Sequence, residues 1–427
     1  MKQLKILICA YACEPGKGSE PGVGWNVVRE VSKYHQIWVF TSNCHRQALE
    51  TELTRNPLPN LHLVYLDPLG WIIDWSHERM GKQWGAYIHY YLWQIWAYFI
   101  SRSLHKQIGF DILHHVTYVK YSSPSLISLL PVPFIWGPVG GGESSPKSFW
   151  KDFSFRGKIY EVLRNLARWI GECDPLVHLT VQQSVLARAT TEDTAKRLRQ
   201  MGTKNVQVYS PLGLSKDEIA NLSDSVILDN SAIRFISVGR LLHWKGFHLG
   251  LAAFAQANLL NAEYWIVGEG TEHKQLEILT QYLNITKQVK FLGNLSREHT
   301  WSKIQNCHVL VHPSLHESGG FVCLEAMAAG RPVICLDLGG PAVQVTEETG
   351  FKIKANTPEQ AVSDIAEAMT YLANNPELRL LMGQAGQKRV RETFSWENKG
   401  RQLIQLYEEI STQNKSCLKL SYGSSDD

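Results

Sequence analysis

Two glutamates eight positions apart, Glu317 and Glu325, bracket the stretch ESGGFVCLE in the last third of the chain. Each carboxylate offers paired acceptor oxygens that suit the hydroxyls of a sugar or a ribose. Between them, Ser318, Gly319 and Gly320 leave nearly bare backbone before Phe321 to Ala329, which reads as a helix with Phe321, Leu324 and Ala328 on one face and Gly330 at its end. The first turn of a helix carries unpaired N–H groups and partial positive charge, so it favours a phosphate. Glu325 stands among apolar residues, where a charge is costly unless it meets a polar partner. Farther upstream, Arg240 and Lys245 supply two cations, in Gly239-Arg240 and Lys245-Gly246 after one strand. Such a set suits a ligand that joins a diphosphate to hydroxyl-bearing rings.

These residues need elements that bring them to one edge. Val309 to Val311 reads as a buried strand ending at Pro313, and Pro332 to Leu336 as a second, followed by a turn at Gly339-Gly340-Pro341. Strands are also expected at Ile233 to Gly239, Tyr264 to Gly268 and Val289 to Gly293, with helices between. Such alternation demands a parallel sheet with right-handed crossovers. Ligands on such a sheet gather at the carboxyl ends of the strands, where Arg240, Gly268, Leu292 to Leu295, Glu317 and Gly340 all fall. Thr357-Pro358-Glu359-Gln360 carries a helix start, with a capping residue, a first-turn proline and a box glutamine.

The N-terminal half repeats the theme more loosely. Leu4 to Ala10 is expected as the first strand; its charged, apolar start is too short for a signal peptide and runs into Glu14 and Pro15. A loop with glycines at 16, 18, 22 and 24 follows, then a helix from Trp25 to Tyr34 and a strand from His35 to Thr41. Residues 70 to 106 are rich in Trp, Tyr and Phe. The nearly uncharged tract Ala86 to Ile100 is shorter than the roughly 20 residues a bilayer span needs, so it reads as a buried helix or an interfacial one. Arg156 to Arg168, with Lys158 and Arg164, supplies nearby basic residues. Asp111 to Thr117 reads as a strand with His114 and His115 on opposite faces. Gly137 to Glu143 is a second glycine turn. Val185 to Tyr209, read as strand, helix and strand, closes the first domain.

The totals fit this outline. With 427 residues, 44% of them apolar, the chain has room for two ordinary domains. Its eight cysteines show no metal-ligand spacing, so neither zinc nor a disulfide framework is expected, and a reducing, cytoplasmic setting is the default. Lys and Arg outnumber Asp and Glu by 23 to 16 up to Leu212 and are outnumbered 20 to 24 beyond it. That is too dilute for nucleic acid, but it suits an anionic acceptor or an anionic membrane surface, with the protein peripheral at the inner face.

The set formed by Gly-Arg and Lys-Gly after one strand, Glu-x7-Glu around a Gly-Gly loop, and Glu-Ala-Met-Ala-x-Gly-x-Pro-Val-Ile resembles the donor-binding half of family 4 glycosyltransferases of the GT-B fold. The resemblance is close over Ile233 to Phe394 and looser before it. It implies an α/β chain of two Rossmann-like doubly wound domains facing a cleft. The expected division is an acceptor-binding domain at 1–214, a linker at 215–231, a nucleotide-sugar-binding domain at 232–394, a closing helix at 395–412 that returns to the first domain, and a tail at 413–427. It implies that Glu317 contacts the transferred sugar, that Glu325 holds the ribose, and that Arg240 and Lys245 neutralise the diphosphate. Further donor contacts are expected at Gly22, Gly24, Gly239, Gly268, Asn294 and Leu295, the last two by backbone reading of the base. Ser318, Gly319, Gly320, Phe321, Leu324 and Gly340 complete that set. The family places a catalytic His at the end of Asp-x-x-His-x-His; here Val116 stands in that place, so His114 and His115 are both candidates. The implied reaction moves a sugar from a nucleoside diphosphate sugar to a hydroxyl of a glycan or lipid-linked acceptor, with retention at the anomeric carbon and without metal or cofactor. The alternatives are a GT-B epimerase or phosphorylase and, from another class, a catalytically idle nucleotide-sugar-binding subunit.

Overall fold

The computed structural model describes residues 3–68, 83–224 and 232–422. The start of the aromatic stretch, 70–82 with Trp71 and Trp75, and residues 225–231 of the expected linker lie outside the described residues. Contacts divide the chain into two units: residues 1–142, 167–211 and 396–427 form the first, and Glu143–Leu166 with Leu212–Ser395 form the second.

The first unit holds seven parallel strands: β1 (Lys5–Ala10), β2 (Gln36–Ser42), β3 (Leu61–Leu66), β4 (Ile112–Thr117), β5 (Phe134–Val139), β6 (Ser184–Ala189) and β7 (Val206–Val208), in the order β3-β2-β1-β4-β5-β6-β7. Helices between them cover both faces, so every residue of β4 is buried. The helix Ser19–Ser32 begins earlier than the expected Trp25, which puts Gly22 and Gly24 inside it rather than in a loop. A Cβ on Gly22 would stand 2.0 Å from the Lys17 carbonyl oxygen, and one on Gly24 would stand 2.2 Å from that of Ala12. Both glycines therefore let a helix pass close to its own entry loop. Gly400, on the Trp396–Tyr422 helix, makes room in the same way against Glu30 of the Ser19–Ser32 helix.

The helix Gln83–Ile108 is buried along one side and open along the other. Tyr90, Trp93 and Ala97 enter the core, while Tyr91, Trp96 and Phe99 are exposed on the other side.

The second unit holds six parallel strands: β8 (Ile233–Val238), β9 (Ala262–Val267), β10 (Val289–Phe291), β11 (Val309–His312), β12 (Val333–Leu336) and β13 (Gly350–Ile353), in the order β10-β9-β8-β11-β12-β13. The order reverses between β8 and β11, and the loops that leave those two strands carry Arg240, Lys245 and Glu317. Phe149 and Phe153 are buried in this unit's core beside Phe247 and Leu249, which is why 143–166 groups with it although a boundary at 214 assigns that segment to the first domain.

Three local readings change. Residues 216–223, expected as linker, form a helix whose start is fixed by a reciprocal box between Ser215 and Glu218. The turn at Gly339 is the first residue of a short helix, Gly339–Gln344. The final helix runs on to Tyr422, beyond the expected end at 412. Thr357 caps its helix as expected by accepting from the Gln360 N–H at 3.2 Å, but the Gln360 side chain accepts from the Asn356 N–H and not from that of Thr357.

Candidate active site

The donor-type residues of the second unit meet at the carboxyl ends of its strands. Gly239, Gly268 and Gly293 follow β8, β9 and β10, linked by hydrogen bonds from Gly239 N–H to the Val267 carbonyl (2.9 Å) and from Gly268 N–H to that of Gly293 (2.8 Å). A Cβ on Gly268 would stand 1.9 Å from the Gly239 carbonyl oxygen, so only glycine lets these strand ends close up. The loop after β11 packs on the turn after β12 in the same manner. Gly340 N–H donates to the Glu317 carbonyl at 2.7 Å, and a Cβ on Gly340 would stand 2.2 Å from the Gly319 carbonyl oxygen. Gly320, at φ 83°, then turns the chain into the Phe321–Ala328 helix.

Glu317 is paired with Lys245, and His312 Nε2 lies 3.8 Å from the same carboxylate oxygen. Burial alone would raise the Glu317 pKa, but the Lys245 charge, with His312 behind it, holds it below the usual carboxylate value. His312, at the end of β11, is buried, and burial pushes its pKa down to about 4. Its Nε2 has no hydrogen-bond partner among the described residues. Arg240 is exposed, and among the described residues its guanidinium makes no hydrogen bond or ion pair. One cation thus offsets a carboxylate while the other stands free at the end of β8.

Glu325 is buried on the Phe321–Ala328 helix and meets the polar partners that its setting requires. Trp301 Nε1–H donates to its Oε1 at 2.7 Å, and Arg297 Nε–H approaches the same oxygen at 3.4 Å. Arg297 also pairs with Glu218 at 2.6 Å and lies against the Trp301 and Phe321 rings. Burial pushes the Glu325 pKa up, and the Trp301 and Arg297 bonds oppose that rise only in part. No hydrogen bond among the described residues ends on Oε2. Asn294 is exposed and Leu295 half-buried in the loop after β10, Leu324 is fully buried, and Ser318 donates to Glu143 at 2.8 Å.

A buried cluster braces the loop from outside. Glu161, on the Phe155–Glu172 helix, accepts from His316 Nε2–H at 3.2 Å, with His243 Nε2 at 3.4 Å and Arg164 at 3.8 Å. Burial alone would raise its pKa; the two histidines and Arg164 bring it down to about 2. His316 stacks on Trp244, which stacks on Tyr160. Sequence reading singled out none of Arg297, Trp301, His312 or Glu161, and named Glu143 only as the end of a glycine turn. A histidine ending a strand run was the available signal for His312; the others come from distant segments with no motif.

In the first unit, His114 and His115 are both sealed in the core. His114 Nε2–H donates to the Gly137 carbonyl at 2.6 Å and its Nδ1 accepts from the Tyr407 hydroxyl at 2.6 Å. His115 bonds the Ser125 hydroxyl at 2.8 Å and the Tyr90 hydroxyl at 3.4 Å. Burial lowers both pKa values to about 3. Alternation along a strand separates an open face from a closed one only where one face is open, and β4 has none. Neither imidazole offers a free nitrogen, and the catalytic His expected on this strand has no counterpart in the geometry. Gly22 and Gly24 serve packing, while the loop before them, Glu14 to Lys17, lines an open groove of about 710 Å³ with His45 and Arg55.

Among the described residues, no three His, Cys, Asp or Glu side chains gather as metal ligands, and no helix is long and apolar enough to cross a membrane.

Comparison with solved structures bears on the fold. Sucrose-phosphate synthase from Thermosynechococcus elongatus superposes with a TM-score of 0.62 at 19% identity, over 96% of this chain and 100% of that one. Anabaena HepE in complex with UDP and glucose gives 0.57 at 16% identity, over 95% and 100%. The architecture is that of the GT-B glycosyltransferases, two parallel-sheet α/β units. Residues 219–389 match the family model described as glycosyl transferases group 1. An uncharacterized glycosyltransferase of Methanocaldococcus jannaschii is 23% identical over 73% of this chain and 80% of its own length. A D-inositol 3-phosphate glycosyltransferase of Corynebacterium urealyticum is 30% identical over 49% of this chain, which spans half of that protein's length.

Proposed function

We propose that this chain is a hexosyltransferase of family 4 that moves a sugar from a nucleoside diphosphate sugar to a hydroxyl of a glycan or lipid-linked acceptor, in polysaccharide or glycolipid assembly. The observation that carries the reading is that the loops leaving β8 and β11, on either side of the reversal in strand order, carry the free cation Arg240 and the Lys245–Glu317 pair and lead into the helix that holds Glu325. The diphosphate lies against Arg240, Lys245 and the N–H groups of that turn, Glu317 meets the transferred sugar, and Glu325 Oε2 takes the ribose hydroxyls. Gly239, Gly268 and Gly340 let the ligand approach the backbone, and the loop at Asn294 and Leu295 reads the base.

The bond from the anomeric carbon to the diphosphate oxygen breaks, and its electron pair leaves with the diphosphate. The acceptor oxygen bonds the anomeric carbon from the side the diphosphate leaves, which retains configuration, and its proton passes to a diphosphate oxygen. Charge that develops on the leaving group is what Arg240, Lys245 and the helix N–H groups stabilise, so no metal is required. Bringing the diphosphate to Lys245 also draws that lysine from Glu317, freeing the carboxylate for sugar hydroxyls. Anabaena HepE was solved with UDP and glucose, which favours UDP-sugars as the first donors to try.

The test is a thermal-shift series of UDP-, GDP- and ADP-sugars in chelator, since a ligand that binds only the folded state raises the melting temperature. A shift with one donor, together with slow donor hydrolysis when acceptor is absent, is expected. No shift with any donor, in protein whose melting is otherwise cooperative, would overturn the reading.

A further inference from the structure

We propose that the outer face of the Phe155–Glu172 helix docks on an anionic phospholipid bilayer. Phe155, Ile159, Leu163, Leu166, Trp169 and Ile170 recur at helical spacing and form one stripe. All six are exposed, Phe155 to 78%, Trp169 to 61% and Leu163 and Ile170 to 59% each. A soluble helix normally turns such a stripe inward. Here the inward side is polar: Glu161 is buried against His316, and Arg168 is buried as well.

The charge pattern selects the occupant. Arg156 and Lys158 are exposed at the two edges of the apolar stripe, where long cationic side chains reach headgroups while the stripe enters the acyl boundary. The helix shows no acid on that side, since Glu161 is inside and Glu172 is held by Arg197 at 2.6 Å and by the Tyr121 hydroxyl at 2.7 Å. The surface continues on the Gln83–Ile108 helix. Its Tyr91 hydroxyl donates to Asp174, just past the end of the docking helix, at 3.3 Å. From there Tyr91, Ile95 and Phe99 lead to Arg102 and Lys106 along one exposed side. An apolar patch with aromatic rings and exposed cations along its edges matches the interfacial zone of an anionic membrane. A second copy of the chain suits it less, because a two-fold contact would bring the cationic rims together.

The inference is independent of the donor assignment, and its test keeps the two apart. Full-length protein would be sedimented with vesicles of phosphatidylglycerol and phosphatidylcholine, and with phosphatidylcholine alone. Binding to the anionic vesicles that weakens with salt is expected. The variant carrying Leu163→Glu and Ile170→Glu loses it, and Arg156→Ala with Lys158→Ala weakens it about fivefold per cation. The melting temperature and any donor-induced shift stay as in wild type, because these side chains are exposed on the helix face opposite Glu161, the residue that meets the strand-end loop. Failure to sediment with anionic vesicles would overturn the proposal, as would binding unchanged in the Leu163→Glu, Ile170→Glu variant. A wild-type dimer that becomes monomeric on Leu163→Glu, with no vesicle binding, would assign the face to a second copy instead.

Discussion

Replacing Glu325 by glutamine separates the ligand role of this carboxylate from its structural one. The side chain keeps its shape and an oxygen for the Trp301 N–H, now at 2.7 Å from Oε1, so the fold loses little. What disappears is the negative charge facing the ligand. A hydrogen bond to a charged group contributes about 1.5–3 kcal/mol, and tenfold in affinity corresponds to about 1.4 kcal/mol, so donor binding should weaken roughly 10- to 150-fold. Glu325→Ala weakens donor binding as much and also strands the Trp301 N–H and removes one of the two carboxylates that Arg297 meets. Leaving such groups unpaired costs about 1–3 kcal/mol, which in a domain of this size lowers the melting temperature by about 2–4 °C per kcal/mol. Donor affinity by calorimetry and melting by circular dichroism read the two effects. Because burial raises the Glu325 pKa, donor affinity in wild type should begin to fall at a higher pH than for an ordinary carboxylate, and that acid limb should vanish in the glutamine variant. Wild-type donor affinity in Glu325→Gln would refute the ribose role, and an equal loss of melting temperature in both variants would make the residue purely structural.

Arg240→Ala should lower turnover by about 10²–10³ with an unchanged melting temperature, since the side chain is exposed and unpaired. Lys245→Ala should lower both, because Glu317 then keeps its burial without its cation; full turnover in either variant would remove the diphosphate assignment. Glu161 is held at about 2 against an ordinary 4.5, so its contribution to stability is complete above pH 4.5 and is lost as pH falls toward 2. Denaturant melts of wild type and Glu161→Gln should therefore differ by on the order of 3 kcal/mol near neutrality and converge in acid, and parallel pH profiles would contradict the assignment. Tyr407→Phe removes one hydrogen bond from His114 and should cost about 1 kcal/mol of stability with kcat unchanged. A fall in kcat at constant melting temperature would return His114 to the catalytic machinery.

The second unit's strand ends were legible in the sequence because their pattern is local. Strand, glycine loop and helix follow one another between Val309 and Ala328, and a parallel sheet brings successive strand ends to one edge without further instruction. Partners supplied from far away were not legible. Trp301 and Arg297 reach Glu325 from a helix whose own pattern is unremarkable, and Glu161 reaches His316 from a segment read only for its basic residues. Phe149 and Phe153 assign their segment to the second core through contacts made a hundred residues downstream, which no local pattern records. The helix at Lys216–Ser223 was hidden by polar composition, although Ser215 and Glu218 carried its capping signature. His114 and His115 show the limit of alternation as an argument, for a central parallel strand hides both of its faces.

The first unit is not a continuous piece of chain. Its sheet is complete at Val208, yet Tyr407 must still arrive to satisfy His114, Lys399 to donate to the Ser210 carbonyl at 2.6 Å, and Gly400 to lie against Glu30. All three come from a helix that begins at Trp396, after the last residue of the second unit. During synthesis the domain started first is therefore finished last, and the ribosome completes the second unit while its N-terminal neighbour waits for a final helix. A nascent chain stopped at Ser395 holds every residue of the second unit but leaves the His114 imidazole, buried in the finished protein, without its hydroxyl partner.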